Sequence, residues 1–268
     1  MEIRRNNISP KLLWVAVVLL FFQNAYASTD IEDNPISLTV LASSSLTDVM
    51  GELTRAYSKN KGYSIGISFG APADLLSLVE DGESADVFIT DDAEGMLNLK
   101  QKGLVDVFTI SNIAQNKLVL AASKEHYLSR FVRNNTELDK LFEDLSGKVL
   151  LVMGDPKEVP VGKRAKEAIE KLGYWDGIGK FIVRTDRDSS TKYLLTNGIN
   201  AGVMYYTDAF SNPEINILAE FPTELHSPII YQAAAVAGLN MPLAREFVEF
   251  LKSKEARLVL KRRGFVVE

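Results

Sequence analysis

Apolar residues recur along this chain in two alternating rhythms, and the first pair of them sets the pattern for the rest. Ile36, Leu38 and Val40 alternate with Ser37 and Thr39, the period of a half-buried strand, and Leu41 extends the run. From Leu46 the spacing changes to threes and fours, through Val49, Met50, Leu53, Ala56 and Tyr57, which makes one helix face ending near Asn60-Lys61-Gly62. Ser43, Ser44 and Ser45 lie between the two. The first N–H groups of a helix lack intrahelical partners and carry partial positive charge, so a small hydroxyl turn at that point can hold an anion. A serine there is equally an N-cap, so this turn alone does not decide the matter.

The same alternation continues. Tyr63, Ile65, Ile67 and Phe69 read as a second strand, and Gly70-Ala71-Pro72-Ala73-Asp74 leads into an apolar helix from Leu75 to about Glu80. Asp86 to Ile89 is a short buried strand, followed by a helix from Ala93 to Lys102 closed by Gly103. Further strands are predicted over Lys117–Ser123, Lys148–Met153, Phe181–Arg184, Ala201–Tyr205, Ile215–Phe221 and Ile229–Val236. Helices are predicted over Glu137–Leu145, from about Val161 after Pro160, from Asp188 to Asn197, and over Pro242–Ser253 and Glu255–Arg263.

Alternation of strand and helix implies an α/β fold with parallel pairing through helical crossovers. Strand-to-helix turns recur after Val40, Phe69, Met153 and Arg184, two early and two late. Parallel sheets bind ligands at the carboxyl ends of their strands, so two α/β lobes facing each other across a cleft are expected. Because Ile229–Val236 returns the chain to the first sheet, lobe one is expected from 36–114 plus 230–268 and lobe two from 115–229, joined by a hinge of two segments.

Composition narrows the setting. Arg4, Arg5 and Lys11, the apolar run Leu12 to Phe22 and Ala25-Tyr26-Ala27 read as a secretory leader over residues 1–27, cleaved after Ala27. That run is shorter than the about 20 residues needed to span a bilayer. A soluble exported protein is expected, in the periplasm of a Gram-negative cell. Without the three basic residues and one acid of the leader, the chain keeps 27 basic and 34 acidic side chains, which argues against nucleic acid as a partner. The absence of cysteine removes disulfides, thiolate metal sites and cysteine nucleophiles.

Enzyme motifs are weak. Ser189-Ser190-Thr191-Lys192 and Ser58-Lys59-Asn60-Lys61 match Ser-x-x-Lys, but the partner motifs Ser-Asp-Asn and Lys-Thr-Gly are absent, and so is Gly-x-Ser-x-Gly. His126 and His226 lack motif spacing and read as ordinary surface histidines. Asp91-Asp92, and Asp186 with Asp188, each precede a predicted helix and read as N-terminal charges. No catalysis and no cofactor are expected.

Several longer stretches carry a resemblance. Val40 to Thr47, Ala85-Asp86-Val87-Phe88-Ile89, Gly154-Asp155-Pro156 with Val159-Pro160-Val161-Gly162 and Ala165-Lys166-Glu167-Ala168, and Gly202-Val203-Met204-Tyr205 with Asp208-Ala209 resemble periplasmic molybdate-binding proteins. Leu172-Gly173-Tyr174-Trp175-Asp176 and Arg263-Gly264-Phe265 extend the match over nearly all of the chain after the leader. The resemblance implies the two-lobed fold of periplasmic solute-binding proteins, with molybdate or tungstate in the cleft and delivery by a monomer to an inner-membrane ABC permease and its ATPase. It implies that Ser45 contacts an oxyanion oxygen, that Val161 donates its backbone N–H and that Tyr205 donates its hydroxyl.

Two positions depart from the family. Pro72 stands where a serine usually gives both hydroxyl and N–H, which leaves Ala71 or Ala73 as backbone donors. Arg187 stands where a valine usually donates its N–H, and it brings a full positive charge. Chemistry bears on the ligand as well. Molybdate at neutral pH is a bare dianion suited to a pocket of donors alone, whereas phosphate carries a proton that such a pocket leaves unpaired, at about 1–3 kcal/mol. Sulfate is separated only by size. A different oxyanion or small anion such as sulfate, chromate or a small carboxylate, or a non-transport adhesin or sensory module keeping the fold, are the alternatives.

Overall fold

The computed structural model describes residues 36–128, 138–145, 149–185, 190–195 and 199–268. The expected leader, Arg187, and the acidic pair Asp186 and Asp188 lie outside the described residues.

Two five-stranded sheets carry the molecule. The first contains β1 (Ile36–Ser43), β2 (Ser64–Gly70), β3 (Val87–Thr90), β4 (Ser111–Gln115) and β10 (Ile230–Ala235), in the order β2-β1-β3-β10-β4. The second contains β5 (Leu118–Ser123), β6 (Leu151–Gly154), β7 (Ile182–Thr185), β8 (Ala201–Tyr205) and β9 (Ile215–Glu220), in the order β7-β6-β8-β5-β9. The chain passes from one sheet to the other through Asn116 and Lys117, and returns over 221–229.

Pairing is parallel only where a helical crossover joins strands of one sheet: β1 with β2 and β3, and β6 with β7 and β8. Both sheets are therefore mixed, with the expected parallel pairing confined to the strands that helical crossovers join. The strands that arrive from the other sheet, β5 and β10, run antiparallel to both neighbours, because no helix turns the chain around before them. Sheet edge β4 was not expected from the sequence. Of its five residues only Ile113 and Ala114 are buried, too little apolar signal for a strand that main-chain bonds to β10 hold in place.

The helices are α1 (Thr47–Lys61), α2 (Pro72–Glu80), α3 (Ala93–Gln101), α4 (Leu138–Leu145), α5 (Pro160–Lys171), α6 (Trp175–Ile178), α7 (Ser190–Leu194), α8 (Tyr206–Ser211), α9 (Met241–Leu251) and α10 (Lys254–Arg262). In α1 the stripe Val49, Met50, Leu53 and Tyr57 is buried against the first sheet, and Gly62 ends the helix at φ 72°, a left-handed conformation that favours glycine. In α5 the stripe Val161, Ala165, Ala168 and Ile169 is buried, and Arg164 lies on that same stripe. Among the described residues no helix is long and apolar enough to cross a membrane.

Candidate functional site

The carboxyl ends of β2, β3 and β6 open on a cleft of about 690 Å³ between the two sheets. Pro72, Ala73 and Asp91 line it from the first sheet, and Val159, Pro160 and Arg164 from the second.

Arg164 joins the two walls. Its Nη1 donates to Asp91 Oδ2 at 3.2 Å and to the Tyr205 hydroxyl at 2.8 Å. Nη2 donates to the Asp91 carbonyl at 2.8 Å and to the Pro228 carbonyl at 3.1 Å, and Nε reaches the same Pro228 oxygen at 3.3 Å. All five N–H groups of the guanidinium therefore have acceptors inside the protein. The Tyr205 hydroxyl in turn donates to Asp91 Oδ2 at 2.5 Å. Burial works against the Arg164 charge, but the oxygens of Tyr205 and Asp91 outweigh it, so its pKa is raised. Burial, followed by the charge of Asp91, pushes the Tyr205 hydroxyl well above the ordinary tyrosine range, so it stays a protonated donor.

A second network runs to the serine turn. Asn116, in the first crossing between the sheets, donates from Nδ2 to Thr207 Oγ1 at 2.9 Å and to the Tyr231 hydroxyl at 3.3 Å. The Tyr231 hydroxyl donates to Ser45 Oγ at 3.1 Å. With that oxygen accepting from Tyr231, the Ser45 proton is left for another acceptor.

Two helix starts add backbone donors. Helix α5 begins at Pro160 without a side-chain cap, and among the described residues the N–H groups of Val161 and Gly162 have no partner. A Cβ on Gly162 would lie 2.3 Å from the Gly154 carbonyl oxygen, so only glycine lets the loop after β6 fold this close to the helix. Helix α2 begins at Pro72, also without a side-chain cap, and the Ala73 N–H has no partner among the described residues.

The sequence matches the family model of bacterial extracellular solute-binding proteins over residues 38–266. The chain belongs to that family. The molybdate-binding protein ModA of Escherichia coli K12 is 32% identical over 233 residues, covering 86% of this chain and 89% of the relative. ModA of Haemophilus influenzae is 30% identical over 231 residues, covering 85% of this chain and 89% of the relative. The periplasmic molybdate-binding protein of Azotobacter vinelandii superposes with a TM-score of 0.74 at 18% identity, covering 86% of this chain and 99% of that one, a likeness of fold. The two sheets and their cleft are thus the two-lobed architecture of periplasmic binding proteins.

Of the residues singled out in the sequence of this solute-binding protein, Pro72 lines the cleft and Val161 follows the lining residue Pro160 at the start of the helix on its far wall, while Ser45 and Tyr205 belong to the two hydrogen-bond networks and are not among the lining residues. Arg187 lies outside the described residues. Sequence reasoning missed Asp91, Arg164 and Tyr231. For Arg164 a signal existed: it falls three residues after Val161 and four before Ala168, on the apolar stripe of its helix. Asp91 had none. Its neighbour Asp92 does act as a helix cap, accepting from the Glu94 N–H at 3.2 Å, while Asp91 turns inward, which corrects its reading as a helix-terminal charge. His226, expected at the surface, is buried with its Nδ1 2.8 Å from the Ser227 carbonyl oxygen. Among the described residues no group of three or more acidic or histidine side chains is placed to hold a metal ion.

Proposed function

We infer that this solute-binding protein captures a tetrahedral oxyanion in the cleft between its sheets and hands it to an inner-membrane ABC permease and its ATPase. Molybdate and tungstate are the first candidates, on the strength of the ModA relatives. The observation that carries the reading is that helix starts bordering the cleft leave N–H groups without acceptors among the described residues: that of Ala73, which lines it, and those of Val161 and Gly162, which follow the lining residue Pro160. Such N–H groups suit the oxygens of an anion. Arg187 serves through its backbone N–H, as the fourth turn of the family does.

The lobes in this reading comprise residues 36–114 with 230–268, and residues 115–229. The anion draws them together, since donors on both walls reach it only when the cleft is shut, and it favours that state by its differential affinity. The protein acts as a monomer in the periplasm after removal of residues 1–27, without catalysis and without a resident cofactor.

A thermal-shift screen of the mature protein against molybdate, tungstate, sulfate, phosphate and chromate tests this. A ligand at 100 times its dissociation constant adds about 2.7 kcal/mol of stability. No shift with any of the five sinks the oxyanion reading. By calorimetry, Ser45→Ala is expected to weaken binding of the best anion by about 1.5–3 kcal/mol, the range for a hydrogen bond to a charged group. Wild-type affinity in that variant would place the anion elsewhere.

A further inference from the structure

The pocket this reading needs is not made of donors alone. Asp91 is 3% exposed and lines the cleft. Its Oδ2 takes the Tyr205 hydroxyl and one Arg164 N–H, while among the described residues no hydrogen bond reaches Oδ1. The single proton of Tyr205 is directed at this carboxylate, and every N–H of Arg164 is engaged within the protein. An anion in the cleft therefore meets a carboxylate acceptor at Asp91.

Bare dianions have nothing to offer it. Molybdate and sulfate present only lone pairs and a like charge. An oxyanion with one O–H, such as hydrogen phosphate or hydrogen arsenate, donates a hydrogen bond from it to Asp91 Oδ1. Its remaining oxygens take donors bordering the same cleft, the Ala73 N–H among them. Resting on the oxyanion reading of the cleft, we propose that Asp91 is a specificity residue that admits protonated tetrahedral oxyanions, so that hydrogen phosphate competes with molybdate for this site. The acceptor is fixed in place: Arg164 and Tyr205 hold its other oxygen, and Arg164 also holds its main-chain carbonyl. A site built to pair a ligand O–H discriminates strongly against an analogue without it.

The test compares hydrogen phosphate with monofluorophosphate, a dianion of similar shape that lacks the proton, by calorimetry at pH 7.5. In the wild type, phosphate is expected to bind at least about tenfold tighter than monofluorophosphate. In Asp91→Asn that preference disappears and molybdate binds several-fold tighter, because a buried negative charge beside the anion is gone. Equal affinity for the two probes in the wild type overturns the proposal without any substitution, so it stays refutable even if the variant does not fold. Survival of the phosphate preference in Asp91→Asn overturns it as well. Molybdate binding with no phosphate binding defeats this inference and leaves the oxyanion reading standing. No binding of any anion defeats both.

Discussion

Two ion pairs cross the cleft from consecutive residues of α5, and they are equally long. Lys163 Nζ lies 3.2 Å from Glu94 Oε1, and Arg164 Nη1 lies 3.2 Å from Asp91 Oδ2. Exposure separates them. The side chains of the first pair are 54% and 83% exposed, those of the second 8% and 3%. Water and salt screen the first, and such pairs contribute about 0–1 kcal/mol. Stripping water from the second is unfavourable by several kcal/mol per ion, a penalty offset only because every guanidinium N–H finds an acceptor. Distance alone therefore says little about what an ion pair does. The exposed pair decorates the rim, whereas the buried one dictates how the walls meet, since Arg164 bonds to the end of β3, to β8 and to the returning segment at Pro228.

The strongest way to break this contrast is to remove one partner of the buried pair. Arg164→Met is expected to destabilise the fold by about 3–5 kcal/mol in urea unfolding, because Asp91 is left as an uncompensated buried charge. Replacing Asp91 by Leu in the same chain should recover most of that loss. A single-variant effect under about 1 kcal/mol would mean that the cluster is hydrated and the contrast false.

A buried histidine lies on the same wall, at His226. Burial pushes the His226 pKa down, and the positive charges of Arg164 and Lys171 act in the same direction against the Ser227 carbonyl. The folded value thus lies below the unfolded value of about 6.5, so the unfolded chain binds more protons and stability rises with pH. Urea unfolding between pH 7.5 and pH 5 should show stability falling once pH drops below about 6.5, by at most about 1.4 kcal/mol per pH unit, then levelling below the folded value. His226→Gln should flatten that dependence. An unchanged slope in the variant would assign it to another group.

The smallest effect belongs to the rim. Lys163→Ala is expected to change stability by about 0–1 kcal/mol, and raising the salt concentration should shrink the difference further. A loss comparable to that of Arg164→Met would erase the distinction between the two pairs.

Much of this molecule was readable along the chain. The switch from a period of two at Ile36, Leu38 and Val40 to threes and fours from Leu46 marks β1 and α1, and Gly62 and Gly103 end helices where a positive φ is required. Pro160 marks the start of α5 and Pro72 that of α2, so the two uncapped helix starts at the cleft were readable as well. The strand β4 was not, since its place depends on main-chain bonds to β10, far along the chain, and not on its own side chains.

Local signals determine where an element begins, which face is apolar and where a backbone needs glycine, because those depend on neighbours within a few residues. The fate of a charge is decided otherwise. Asp91 and Asp92 are adjacent and identical in type, as Lys163 and Arg164 are adjacent and both basic, yet one member of each pair is buried and the other is not. Asp91 and Arg164 are 73 residues apart in the chain, and Asp91 and Tyr205 are 114 apart. Burying a charge is tolerable only when its partners arrive from the opposite wall in the right geometry, and only the meeting of the two sheets across the cleft brings them there.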